Sequence, residues 1–141
     1  MASGTYNQFK TELMNGTYLL ASHTIKAALL DASHAFDADN VGWASVSANE
    51  VASGGGYTTG GETLTSTTVT QDDTDDEGVF DAADVSWASA TFSASHAVLY
   101  DDTTTSPLDA LICSIDFGGS QSVAGGTFTI QWATEGIINI T

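Results

Sequence analysis

The stretch Val85–Phe117, VSWASATFSASHAVLYDDTTTSPLDALICSIDF, decides the fold. Two apolar runs, Ala94–Tyr100 and Leu108–Phe117, flank a polar link, Asp101–Pro107, made of turn-forming residues. In the second run Leu111, Cys113, Ile115 and Phe117 share one parity, which in an extended chain sets four side chains on one face. In the first, His96, Val98 and Tyr100 alternate with Ala97 and Leu99, so both faces carry apolar groups and the strand is expected to be buried on both sides. Two such strands joined by a polar link predict a long hairpin on which the remaining strands stack.

Working outward, Thr127–Trp132 alternates cleanly, with Phe128, Ile130 and Trp132 inward and Thr127, Thr129 and Gln131 outward. The pairs Gly118-Gly119 and Gly125-Gly126 read as breaks before it, and Ile137–Thr141 as a last strand. Upstream, Val79–Asp81 is a short strand, Asp84–Trp87 a turn, and Thr63–Thr70 a threonine-rich strand with an exposed face. Ser53–Gly56 reads as a flexible joint. Asp31–Ala52 is a long surface excursion with one helical turn near Asp39–Ala44. Thr17–Leu20 and Thr24–Leu30 are expected as strands around a turn at Ser22 and His23. At the front, Tyr6, Phe9, Leu13 and Met14 recur at helical spacing, and Gly16 is a natural stop. Residues 1–16 are therefore a short amphipathic helix or arm. The sum is one mainly β domain spanning 1–141, an antiparallel β-sandwich or open barrel with a short N-terminal helix.

Charge separates function classes. Eighteen acidic residues stand against Lys10 and Lys26, with no arginine, for a formal charge of −16. Nucleic acid and anionic membrane surfaces are excluded as partners, because both need clustered cations. The self-repulsion of such a charge is tolerable where salt screens it, the Debye length falling to about 3 Å at 1 M, which points to a saline or halophilic source. No apolar run reaches the roughly 18 residues of a membrane helix, and the start has no basic region followed by an apolar one, so no signal peptide is expected. The lone Cys113, in an apolar strand, is expected as a buried, inert thiol.

One stretch has metal-ligand spacing. Asp73-x-Asp75-x-Glu77-Gly78, followed by Asp81 and Asp84, places carboxylates at alternate positions of a twelve-residue loop with glycine sixth, as calcium loops do. The flanks read as strands rather than helices, and the twelfth residue is Asp rather than the longer Glu. A solvated acidic turn is the competing reading. His23, His34 and His96 fall in no ligand spacing, no G-x-S-x-G elbow occurs, and the glycine clusters do not precede a helix with a lysine. Trp43, Trp87 and Trp132 are candidates for a carbohydrate platform or for packing. No enzyme activity or cofactor is expected.

The order of local signatures resembles a family of short structural proteins encoded by tailed viruses of bacteria and archaea. The matching pieces are Tyr6–Lys10 (YNQFK), Thr24–Leu30 (TIKAALL), Gly56–Gly61 (GYTTGG), Val79–Trp87 (VFDAADVSW), Ala90–Phe92, Ile115–Gly118 (IDFG), Gly125–Trp132 (GGTFTIQW) and Glu135–Thr141 (EGIINIT). The chain departs from that family in charge, lacking basic positions and carrying a denser acidic loop. The resemblance implies a virion component. The leading expectation is a capsid decoration (cement) protein on the outer shell, partnered by the major capsid protein and by copies of itself. The alternative is a tail, baseplate or fibre-associated protein acting in host attachment through tryptophans and polar loops. Strand edges without lysine gatekeepers are expected to be covered by a neighbouring subunit.

Overall fold

The computed structural model describes residues 3–141. In chain order its strands are β1 (Gly4–Thr5), β2 (Ile25–Leu30), β3 (Glu62–Thr63), β4 (Thr68–Asp72), β5 (Glu77–Asp81), β6 (Val85–Thr105), β7 (Leu108–Ile130) and β8 (Ile138–Ile140). One helix, α1 (Asn7–Asn15), lies between β1 and β2. A five-stranded antiparallel sheet runs β1-β7-β6-β2-β3, and a three-stranded one β4-β5-β8. The protein is thus mainly β, sandwich-like, with two antiparallel sheets and one helix, as its alternating pattern predicts.

The central hairpin is longer than its apolar runs. β6 has 21 residues and β7 has 23. Ala97–Tyr100 and Ala110–Ile115 are buried on both faces; β2 and β1 cover the edges of the pair, α1 and residues 43–45 pack against β7, and Trp43 stacks on Tyr100. The glycine pairs do not break β7. Between the pairs Ala94↔Gln121 and His96↔Asp116, four residues, Phe117–Ser120, oppose Ser95 alone. Gly118 and Gly119 hold φ of 76° and 141°, which only glycine adopts readily, so the surplus loops out and the ladder resumes. The expected turn at Asp84–Trp87 is likewise strand from Val85 on, since Val85, Ser86 and Trp87 pair with Ile130, Thr129 and Phe128.

The polar link is shorter than its composition implies. After a bulge in which Asp102–Thr104 oppose Asp109 alone, pairing resumes at Thr105↔Leu108, leaving Ser106 and Pro107 as the turn. Asp101 is fully buried, its Oδ1 accepting the Thr103 amide at 2.9 Å. The Thr104 hydroxyl donates to the Asp101 carbonyl and accepts the Ala110 amide, both at 2.9 Å. The buried carboxylate and hydroxyl are thus satisfied by main-chain groups, which holds a bulge of polar residues inside the hairpin.

α1 forms where the spacing placed it. Phe9 is buried, Gly16 takes φ 78° as its left-handed stop, and the Thr17 amide reaches back to the Glu12 carbonyl at 2.9 Å. Met14, by contrast, is exposed. Thr17–Leu20 is not a strand: Tyr18 turns inward to donate its hydroxyl to the Leu111 carbonyl at 2.8 Å, which pulls this segment away from any ladder. The Asp31–Ala52 excursion carries two 3₁₀ turns, Trp43–Ser45 and Ser47–Asn49, slightly beyond the single turn expected. Ser53–Gly56 is a packed strip rather than a flexible joint. Gly55 accepts the Thr91 amide at 2.8 Å, and a Cβ on Gly56 would meet the Ala88 carbonyl at 2.7 Å. The threonine-rich strand is two: Glu62–Thr63 pairs with β2, and the chain then crosses at Leu64–Thr67 to form β4 in the other sheet.

Candidate functional site

The acidic loop closes the β4–β5 hairpin, with Asp72 opposite Glu77. Asp72 Oδ1 accepts the amides of Thr74 at 2.8 Å and Asp75 at 3.3 Å, an Asx turn that folds the loop back on itself. This brings carboxylate oxygens of Asp72, Asp75 and Glu77 within 4.8 Å of one another. The predicted set is only partly assembled. Asp75 and Glu77 are in the cluster. The Asp73 carboxylate instead accepts from the Gln71 side chain, and Asp84 Oδ1 accepts the Trp132 amide at 3.0 Å. Asp81, whose Oδ1 is buried without a hydrogen-bond partner, lies at the far end of β5. A strand advances about 3.3 Å per residue, so Glu77 and Asp81 at its two ends are too far apart to share an ion. The β4–β5 hairpin therefore gathers three carboxylates rather than the twelve-residue ligand set. Asp72 is the member that spacing missed; its place at the end of a strand, facing Glu77, was the available signal.

The histidines sort into two groups. His23 Nδ1 lies 2.5 Å from the buried Asp101 Oδ2, pinning the segment before β2 to the end of the central hairpin. His34, also buried, meets His96 edge to face with ring centroids 5.0 Å apart, and its Nε2 has no hydrogen-bond partner. Burial, then the neighbouring His96, hold the His34 pKa below the ordinary histidine value. His96 Nε2 lies 3.7 Å from Asp116 Oδ1. Cys113 is the buried thiol its strand position predicts, its pKa pushed up to about 12 by burial.

The tryptophans do not form a platform. Trp87 and Trp132 are buried, the latter donating its indole N–H to the Ala83 carbonyl at 2.9 Å. Trp43 stacks on Tyr100 with centroids 4.8 Å apart.

What the two long strands do assemble is a neutral strip. No Asp, Glu, Lys or Arg occurs from Val85 to Tyr100 or from Phe117 to Thr134. Those segments pair with each other in the half of the hairpin away from its turn. There the side chains of Gln121, Ser122, Ala124 and Thr127 are exposed, while Phe92, Phe117, Val123 and Phe128 are half-buried. β1 covers the outer edge of β7 only at Cys113 and Ser114. Beyond Asp116 no strand among the described residues pairs with that edge.

Comparison with known proteins adds no relative: no family model, no curated protein and no solved structure matches the chain.

Proposed function

We propose that this chain is a non-enzymatic structural protein of a virion, a decoration protein that sits as an oligomer on the outer shell and bridges neighbouring capsid subunits. The observation that carries the reading is the neutral strip. In a molecule of formal charge −16, any contact must avoid setting carboxylates against carboxylates. The strip joins exposed small side chains, four half-buried apolar ones and an unpaired strand edge, with no charge to repel a neighbour. Main-chain groups left open on such an edge are satisfied when another chain adds to it.

The test is the copy number of this protein in purified virions relative to the major capsid protein. A ratio of the same order supports decoration, and a small fraction moves the protein to a vertex or the tail. Absence from virions removes the reading altogether. The host-attachment alternative drew on exposed tryptophans, and two of the three are buried.

A further inference from the structure

Among the described residues seven large apolar side chains are exposed, and three of them, Leu19 (56%), Val69 (56%) and Ile140 (51%), gather around one groove. It holds about 330 Å³ between the three-stranded sheet on one side and α1 with the Tyr18–Ser22 segment on the other. Its floor is set by strand register. Val69, Phe80 and Ile138 are cross-strand partners in one row, and Gln71, Gly78 and Ile140 in the next, so both rows share a face. Phe80 and Ile138 fill the first row. In the second row the middle position is glycine. Gly78 has no left-handed φ, and a Cβ placed there meets nothing within 4 Å. Neither backbone conformation nor crowding calls for glycine at this site. What its missing side chain does is leave the groove open.

The groove runs into a second depression that shares Val69, Gly78 and Ile140 with it and adds Asp72, Asp73, Asp76 and Glu77. Neither lysine lines either depression. We propose that this groove is a docking site for an apolar segment flanked by lysine or arginine, supplied by another protein. The apolar floor takes the aliphatic anchor, and the carboxylates beside it attract the basic flanks. A second copy is the wrong occupant, because it would bring a second acidic rim against the first and carries only two lysines to offset it. This deepens the reading above by naming the chemistry of the partner segment, and it rests on the chain being a binding component.

The experiment uses fluorescein-labelled peptides with a Leu-Ile-Leu core flanked by two lysines, or by two glutamates, on each side. Binding to the full chain is followed by fluorescence anisotropy at 0.15 M and 1 M NaCl. The lysine peptide is expected to bind at least tenfold tighter than the glutamate peptide. Gly78→Val should fill the groove and weaken that binding at least tenfold without lowering the melting temperature, since valine favours a strand and has space there. Leu19→Ser, at the exposed rim, should weaken it without touching the strand. Unchanged binding in both variants would mean unspecific attraction to an acidic surface and overturns the proposal. So does sedimentation showing that the wild type dimerises while Gly78→Val does not. A groove that binds the peptide in a chain absent from virions sinks the virion reading and leaves this one standing.

Discussion

His34 sits inside the fold with one nitrogen unpartnered and its pKa held down by burial and by His96. The imidazole is harder to protonate in the folded chain than in the unfolded one, where it takes up a proton near pH 6.5. Between the lowered folded value and about 6.5 the unfolded state binds more protons, so stability rises with pH through that window and is complete above it. Acidifying from pH 7.5 to 5.5 should therefore lower the urea midpoint, and His34→Gln should flatten that slope. An unchanged slope would show that other groups carry it. Tyr57 gives a second test. Its hydroxyl accepts the Leu29 amide at 3.0 Å and donates to Glu50 at 2.7 Å. Tyr57→Phe strands a buried amide on β2 and should cost about 1–3 kcal/mol in denaturant titration.

At the level of elements, the β4–β5 hairpin holds the densest charge. Asp72 is needed for its Asx turn, but Asp75 only adds a third carboxylate to the cluster. Asp75→Asn should stabilise the domain by about 0.2–1 kcal/mol in 10 mM salt and by close to nothing at 1 M, where screening already removes the repulsion. Equal effects at both salt concentrations would mean that repulsion is not the cause. The central hairpin shows how local chemistry can mislead about element length. Glycine pairs and an Asp-Thr-Thr-Thr run both read as interruptions, yet both lie within strands. At Gly118-Gly119 the ladder tolerates looped-out residues, and at Asp101–Thr105 it bulges, the buried Asp101 carboxylate being held by His23 and the Thr103 amide and the Thr104 hydroxyl by main-chain groups.

For the whole molecule, charge and association are the governing terms. A net charge of −16 with few ion pairs among the described residues to offset it, Lys26–Asp102 at 3.4 Å being one, leaves repulsion spread over the surface. The thermal midpoint is expected to rise steadily from 10 mM to 1 M NaCl; full stability at the lowest salt would count against a saline origin. The two uncharged or apolar surfaces, the neutral strip and the groove at Gly78, lie on different sheets, so one molecule can make two separate contacts. The proposed bridging role needs two such contacts.

Alternation over short windows was enough to determine the β class, the apolar parity of β6 and β7, the helix ending at Gly16 and the buried thiol at Cys113. Each depends on neighbours only a few residues apart. The meeting of positions distant along the chain was decided by tertiary structure alone. Asp72 joins Asp75 and Glu77 while Asp73, Asp81 and Asp84 go elsewhere, because a hairpin turn, not loop spacing, sets which carboxylates converge. Asp101 is buried because His23 reaches it across seventy-eight residues. Gly78 opens a groove only because register sets it between Gln71 and Ile140, with Leu19 and Leu20 facing it from another segment. Local pattern reports which way a side chain points; long-range pairing determines what it finds there.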